Sequence, residues 1–236
     1  MTQFKGSLLA ITAFLTLQIV QAQTVDEVVN RYLNALGGKD KLASLQTVRM
    51  EGLMNAKGTD VNVIVTKSNM IGSRVDIAVM GMNGYKVFNA TNGWNFMPFA
   101  GQKEPVAMTA EELKPLLATG IDVQGSLFNY KEKGSKLELL GTEKVDSTDC
   151  YKIKATLKNG SIMTYLIDTK TYFIDKLITS QYLNGSLKEV ASNFSNYKPT
   201  ANGYIFPFTT TNPQGQIDFS KIEVNIPIDE KIFSAN

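Results

Sequence analysis

Residues 74–94 read Arg-Val-Asp-Ile-Ala-Val-Met-Gly-Met-Asn-Gly-Tyr-Lys-Val-Phe-Asn-Ala-Thr-Asn-Gly-Trp, and this stretch decides the fold class. Val75, Ile77 and Val79 alternate with other residues at the two-residue period of a β-strand that buries one face. Asn-Gly pairs follow at 83–84 and 92–93. This pair is favoured in tight hairpin turns, because both of its residues tolerate positive φ. The stretch therefore predicts consecutive strands joined by short turns.

The same pattern continues along the chain. Asn-Gly recurs at 159–160, 184–185 and 202–203, between segments rich in β-branched or alternating apolar residues. The predicted strands cover residues 59–67, 74–82, 151–156, 162–167, 173–179, 204–210 and 217–224. Five hairpin signals between apolar runs predict an up-and-down antiparallel sheet, and a sheet of this length must curl or close.

A helix is predicted at the start of the mature chain. Thr24 and Glu27 have the spacing of a capping box, in which each side chain bonds the other residue's backbone. Apolar residues then follow on one helical face as far as Leu36, and Gly37 and Gly38 provide the stop.

A second helix is predicted in the middle of the chain, where Thr109 and Glu112 form another capping box. Pro115 is expected to kink or split this helix, because proline lacks the backbone donor that a helix interior needs. The fold class predicted from both helices and the strands is mainly β: a strongly curved antiparallel sheet forming an incomplete, half-open barrel with a helical lid.

The first 22 residues predict export. Lys5 is the only charge before Asp26, Leu8–Val20 is mostly apolar, and Ala22 ends a site typical of signal peptidase. We expect residues 1–22 to be a signal peptide and residues 23–236 to be a single domain. A buried N-terminal helix is the alternative, since the apolar run is short for a membrane span. No cysteine adjoins the cleavage point, so a soluble protein of the bacterial periplasm is expected.

Composition excludes several classes of function. The chain has a net charge of +2, which provides no long-range field to attract nucleic acid. Histidine is absent, which removes the usual general base and the commonest metal ligand. The single cysteine, Cys150, cannot form an internal disulfide. We expect no cofactor, no metal and no enzymatic activity; a hydrolase using Asp168 or Asp218 is the enzymatic alternative.

Seven of the eight methionines of the mature chain lie in its first half, as does the only tryptophan. Methionine is flexible and suits walls that accept varied apolar shapes. These residues predict a cavity that accepts apolar ligands. Residues 98–130 interrupt the predicted sheet as a helical insert, and anchoring of this insert to the core explains Trp94 equally well. The candidate cavity and lid residues are Met54, Met80, Met82, Trp94, Phe96, Met97, Phe99, Leu113, Leu116 and Leu117.

An ordered series of motifs then resembles a known family. The motifs lie at residues 32–42, 91–98, 141–153, 165–168, 193–198, 206–207 and 226–229. Together they resemble the outer-membrane lipoprotein-sorting proteins of the LolA/LolB-like fold, in the form common in Bacteroidetes. The resemblance implies an open barrel that holds acyl chains in an apolar cavity closed by helices. It also implies an arginine that helps to hold the lid, for which Arg49 and Arg74 are the strand candidates.

Two hypotheses of function follow. The first is a periplasmic carrier or binder of lipid or lipidated protein, monomeric and in transient contact with the membrane. The alternative is a module of the same fold that binds or senses an envelope protein partner without a lipid cargo. The first predicts a continuous apolar cavity, whereas the second predicts a filled interior and an exposed apolar patch.

Overall fold

Thirteen antiparallel strands form one continuous sheet in the computed structural model, which describes residues 23–56, 58–118, 120–183 and 185–235. The predicted signal peptide, residues 1–22, lies outside the described residues. The strands are β1 (Thr47–Ala56), β2 (Thr59–Ser68), β3 (Gly72–Val79), β4 (Met82–Asn89), β5 (Gly93–Phe96), β6 (Val106–Ala107), β7 (Lys136–Val145), β8 (Thr148–Thr156), β9 (Ile162–Asp168), β10 (Ile174–Leu183), β11 (Ser186–Pro199), β12 (Ile205–Asn212) and β13 (Gly215–Val224).

Helices accompany the sheet at three places. They are α1 (Val25–Ala35), α2 (Lys39–Ala43) and α3 (Ala110–Leu117), with short 3₁₀ turns at Pro98–Ala100 and Glu230–Phe233. Within the described ranges, no helix combines the length and apolar character needed to cross a membrane.

The strand order shows an incomplete barrel. It runs β6-β5-β4-β3-β2-β1-β13-β12-β11-β10-β9-β8-β7, so two meanders are joined by the pairing of β1 with β13. β6 and β7 form the two edges of the sheet. α3 packs on Phe88 of β4 and also contacts β10, although six strands separate these two in the order. The sheet must therefore curl strongly around α3, which confirms the predicted half-open barrel.

Three of the five Asn-Gly pairs lie where strands are connected. They are the pairs at 92–93, 159–160 and 202–203. For the pair at 184–185, Asn184 lies outside the described residues, while the flanking residues Leu183 and Ser186 are paired in the sheet.

The expected turn at Asn83-Gly84 is wrong. Both residues lie inside β4, and the turn is formed by Met80 and Gly81, with φ of 51° and 78°. Val79 pairs with Met82, so this two-residue loop has the positive φ values that a tight hairpin requires. Gly84 serves a different purpose, because a Cβ there would lie 2.6 Å from the carbonyl oxygen of Phe96.

Helix α1 begins as predicted. The Thr24 side chain accepts from the Glu27 amide, and the Glu27 side chain accepts from the Thr24 amide. The helix ends at Ala35, before Gly37 and Gly38. Its apolar side is buried against β8, β9 and β10 in the largest core cluster, which contains Val28, Val29, Tyr32, Leu33, Ile153, Tyr165, Ile167 and Ile174.

Helix α3 also begins at its predicted capping box, with Thr109 and Glu112 bonded reciprocally. Pro115 does not split it, since the helix continues through the proline to Leu117. Its leucines pack with Phe88 and Ile121, so tertiary contacts on one side offset the missing backbone hydrogen bond.

The C-terminal tail covers the outer side of β3, β4 and β5. Phe233 is 2% exposed and packs with Tyr85 and Val87. The Arg74 guanidinium lies over the Tyr85 ring and donates to the Ile232 carbonyl at 3.1 Å. Gly72 permits this approach, because a Cβ there would lie 2.6 Å from Phe233 Cγ.

The tail makes a prediction about stability. Phe233→Ala should lower the free energy of unfolding by about 3 kcal/mol or more, because it leaves a cavity under a fully buried ring. Urea denaturation measures the change. Met80→Ala is the control, because Met80 is 81% exposed and its truncation should cost less than about 0.5 kcal/mol. Equal losses in both variants would show that the tail does not contribute to the core.

Candidate functional site

The register of the strands defines the two faces of the sheet. Paired residues in neighbouring strands point to the same side. One row across five strands contains Val224, Val48, Lys67, Ser73 and Phe88. Phe88 packs against Leu113 of α3, so this row lies on the side that the insert covers, the concave face.

A neighbouring row lies on the opposite, convex face. It contains Glu223, Arg49, Thr66, Arg74, Val87 and Trp94. Val87 packs against Phe233, so this face is covered by the C-terminal tail where β3, β4 and β5 run. Both faces of β3 to β5 are thus partly covered, by different segments of the chain.

A cavity of about 240 Å³, the basal cavity, lies between the helices and the concave face. Its walls come from α1, α2, Lys67 of β2, Ala118, residues 122–127 and β9 to β12. Most of its lining is apolar or aromatic: Tyr32, Leu36, Leu42, Leu45, Val123, Leu127, Met163, Tyr165, Ile174, Leu177, Phe194, Tyr197, Tyr204, Ile205, Phe206 and Pro207.

A second cavity, the rim cavity, has a volume of about 380 Å³ and lies beside the hairpin ends of β9, β10 and β11. One side of α3 lines it through Glu111, Lys114, Pro115 and Ala118. These residues recur at helical spacing and face away from the leucine side. Ala118 and Met163 line both cavities, so the two spaces adjoin beneath the insert. Ligand pockets typically have this apolar lining and a few polar groups.

The return segment of the insert, residues 120–128, is held across the end of β2. The Met70 amide donates to the Ile121 carbonyl at 2.7 Å, and the Val123 amide donates to Asn69 Oδ1 at 3.4 Å. Gly120 allows the segment to pass Phe88, because a Cβ there would lie 2.2 Å from the ring. The insert is therefore fixed at both ends and covers the concave face between them.

Polar groups meet at one place in the basal cavity. Asp122 accepts from Lys133 at 2.6 Å, and the Ser126 and Tyr165 hydroxyls are hydrogen-bonded to each other. Lys67 enters from the sheet side. Burial lowers the pKa of the Lys67 ammonium, and the Asp122 carboxylate partly offsets this effect. Burial also raises the pKa of Tyr165, so its hydroxyl stays protonated.

A second lysine lies on the concave face nearer the sheet edge. Lys86 of β4 is paired with Val75 in the same register as Phe88 and Ser73. Burial lowers the pKa of Lys86, and Glu112 of α3 acts in the opposite direction. Lys67 and Lys86 thus each have a carboxylate of the insert within electrostatic reach.

Among the predicted site residues, the three leucines are brought together. Leu113, Leu116 and Leu117 pack with Phe88 and Ile121 where α3 meets the sheet. They hold the insert in place, while the opposite side of α3 borders the rim cavity.

Trp94 and Phe96 lie on the convex face. Both pack in the cluster formed with the C-terminal tail, and the Phe96 ring centroid is 5.7 Å from that of Tyr85. Phe96 also borders a separate groove of about 410 Å³ that includes Arg74 and Asp76. Trp94 therefore anchors the tail, through its pairing with Val87.

The remaining predicted residues lie near the end of the barrel where the hairpins turn. Met80 is in the β3–β4 turn, outside the strand that was expected to contain it, and Met82 is partly exposed beside it. Phe99 covers Gly84 on the concave side. Met54 is paired with Ile217, and the Met97 amide donates to Gln102. None of the ten predicted residues lines the basal or rim cavity.

Neither arginine candidate reaches the insert. Arg49 pairs with Glu51 and Glu223 on the convex face, and Arg74 pairs with Asp76 there. The basic groups that face the insert are lysines, because Lys67 and Lys86 have the opposite strand parity.

Sequence reasoning missed most of the cavity lining. Tyr32 lies on the apolar face predicted for α1, but its approach to Tyr165, Tyr197 and Phe194 depends on how the helix lies over β9 to β11. Lys67 was missed because a lysine beside alternating valines indicates a strand end near solvent. The sequence contained one indication of its position: Lys67 follows Val63 and Val65 at a two-residue spacing, so its side chain lies on the same face of β2 as theirs.

Comparison with known proteins adds the fold relationship. No family model matches the sequence, and no curated protein shows a significant match. The structure is similar to that of a LolA superfamily protein from Nitrosomonas europaea, with a TM-score of 0.53 and 16% identity over 90% of this chain and 98% of that one. It is also similar to a DUF1329 family protein from Desulfovibrio piger, with a TM-score of 0.52 and 14% identity over 89% and 97%. The expected LolA-like fold is confirmed.

The leucine side of α3 generates a prediction about the insert. Leu113→Ala should reduce the protection of the α3 amides from hydrogen exchange by about 2 kcal/mol, because Leu113 is 8% exposed and fills space between Phe88 and Ile121. Lys114→Ala, on the exposed side of the same helix, should change it little. If Leu113→Ala instead lowers protection equally in β8 to β10, the insert does not open as a separate unit.

Lys67 generates a prediction about pH. Folding lowers the pKa of the Lys67 ammonium from its ordinary value of 10.5. At pH values between the folded-state pKa and 10.5, the unfolded chain therefore binds more protons than the folded chain. Lys67→Met should therefore raise the free energy of unfolding at neutral pH, and the gain should shrink as pH rises through this window. Urea denaturation at several pH values measures the difference. The control is Lys188→Met at an exposed position, whose free energy of unfolding should stay within about 0.5 kcal/mol of that of the original protein. A stability gain from Lys67→Met that does not fall as pH rises would contradict this prediction.

Proposed function

We propose that this protein is a periplasmic carrier or binder of lipid or lipidated protein, which holds acyl chains beneath the helical insert. The supporting observation is that two adjoining, mainly apolar cavities lie between the concave face and a covering insert. A filled interior would have favoured the alternative of a module that binds only proteins.

Acyl chains suit such a site for a simple energetic reason. Each methylene removed from water contributes about 0.8 kcal/mol, so a chain binds without directional chemistry. A carrier must also release its cargo, which requires a cover with two accessible positions. The insert meets this requirement, because its leucine contacts with Phe88 are separate from the main core on α1.

Export and partners belong to the same proposal. The signal peptide expected at residues 1–22 would place the mature protein in the periplasm as a soluble monomer without cofactor or metal. Contact with a membrane would be transient, at the moment when cargo enters or leaves. In this proposal Asp168 and Asp218 have structural roles: Asp168 accepts from the amides of Lys170 and Thr171 in a turn, and Asp218 accepts from the Thr209 hydroxyl.

One observation favours a protein partner as the second candidate. Met80 is 81% exposed and Leu187 is 61% exposed. β3 and β10 run in the same direction, so the turns that follow them lie at the same end of the barrel. Exposed apolar groups around an opening suit a surface that meets a donor or acceptor of cargo.

Cavity filling tests the lipid hypothesis. The purified protein should contain acyl chains, detected by mass spectrometry of an organic extract. Leu177→Trp should reduce the bound lipid severalfold, because Leu177 lines the basal cavity and the indole would occupy it. Leu140→Trp is the matched control, since Leu140 is exposed on the edge strand β7 and should leave lipid content unchanged.

The outcomes separate the two candidates. Absence of lipid from several expression hosts, together with no binding of added lipid, would exclude the carrier. Recovery of a specific envelope protein whose binding requires Met80 and Leu187, with no lipid bound, would support the protein-binding module instead.

A further inference from the structure

The lining of the interior changes along the strands that run from the basal cavity to the rim cavity. On β10, Ile174 and Leu177 line the basal cavity, whereas Thr179 and Ser180 line the rim cavity. Ser161, which directly precedes β9, lines the rim cavity as well. Three hydroxyl groups therefore border the rim cavity, beside the mainly apolar basal cavity.

These three hydroxyl groups are available to a ligand. Ser161 is bound through its backbone, because its amide donates to Asn159 Oδ1 and its carbonyl accepts from the Leu157 amide. Among the described residues, no hydrogen bond uses the side-chain hydroxyl of Ser161, Thr179 or Ser180. Each hydroxyl can donate one hydrogen bond, so the three suit an oxygen-rich group such as a phosphate.

Two charges of opposite sign border the same cavity. Glu111 and Lys114 lie about one turn apart on the side of α3 that faces the rim cavity. They are the charged side chains among the described residues that line it. The ion pairs between described residues all lie elsewhere. The rim cavity thus presents one carboxylate and one ammonium group, with no net charge.

We propose that the rim cavity binds the zwitterionic head group of a phospholipid, whose acyl chain extends into the basal cavity. The inference rests on the proposed lipid-binding function and defines its ligand class. The Lys114 ammonium and the hydroxyl groups bind the phosphate, and the Glu111 carboxylate binds the ammonium of the head group. The chain passes Ala118 and Met163, which line both cavities.

Head groups of other charge fit the rim cavity less well. An anionic head group places its phosphate at Lys114 but brings no ammonium to Glu111, so two negative charges are left near each other. An uncharged head group makes neither ionic contact. Water reaches the exposed side chains of Glu111 and Lys114, so each contact contributes modestly. The structure therefore favours a severalfold preference for the zwitterion.

The test compares lysophosphatidylethanolamine with lysophosphatidylglycerol, which share an acyl chain and a phosphate and differ in the ammonium group. Each displaces the neutral fluorophore N-phenylnaphthylamine from the delipidated full mature protein at low ionic strength and below the concentration at which the lipid forms micelles. We expect the zwitterionic lipid to bind roughly fivefold more tightly, the size of a favourable exposed ionic contact. Added salt should reduce this preference.

Three variants identify the groups responsible. Glu111→Lys should reverse the preference, because an ammonium group then replaces the carboxylate at the rim cavity. Lys114→Met should weaken the binding of both lipids, since both carry a phosphate, and retained fluorophore binding shows that the variant is folded. Glu132→Lys is the matched control with the same change in net charge. Glu132 lines a separate groove beside α1, so this variant should keep the preference.

The outcomes distinguish this inference from the proposed function. Equal affinities of the original protein for the two lipids would overturn the head-group inference while lipid binding stands. The same conclusion would follow if Glu111→Lys kept the preference, if Lys114→Met bound both lipids unchanged, or if Glu132→Lys reversed the preference as well. If neither lipid displaces the fluorophore, the proposed function fails too.

Discussion

The pairing of β1 with β13 is the interaction on which the rest of the structure depends. It joins the first meander to the second through seven residue pairs between Val48 and Met54 on one strand and Val224 and Ile217 on the other. Without it the chain would form two separate sheets, each with an uncovered apolar face. The register shifts at Gly52, where a Cβ would lie 2.8 Å from the Asp218 carbonyl oxygen, and such irregularities increase the bend of a sheet. The joint therefore also supports the curvature that gives the barrel an interior.

The two faces of this wall are completed in different ways. The convex face of β3 to β5 is sealed by the last residues of the chain, with Phe233 buried and Arg74 placed between a ring and a carbonyl. The concave face is covered by α1 over one half of the sheet and by the insert over the other. Because these two covers form separate apolar clusters, space is left between them. Stability and a ligand-sized interior are thus provided by different parts of the same molecule.

Much of the fold could be predicted from the sequence, but few of the residues that line the cavities could. Capping boxes and three turns are local features, so Thr24, Thr109 and the pair at 202–203 could be recognised without tertiary information. The side on which Trp94 lies could not, because it depends on residues 226–233, which follow more than a hundred positions later. The turn was expected at 83–84, but it lies at Met80 and Gly81, and Gly84 remains in the strand, where a Cβ would contact Phe96 and Phe99. Lys67 could not be predicted as a cavity residue, because its position there depends on the return segment of the insert, which passes across the end of β2.

The barrel is open between its edge strands, β6 and β7, and this opening affects the volume that the interior can adopt. β6 has only two residues and β7 bears a register shift within it, and these strands lie at opposite ends of the sheet order. The circumference of the wall is therefore not set by a closed ring of hydrogen bonds. A small change in the twist between neighbouring strands can widen the chamber while every ladder stays intact. Under the proposed function, ligands of different widths could then bind through a change in the curvature of the sheet.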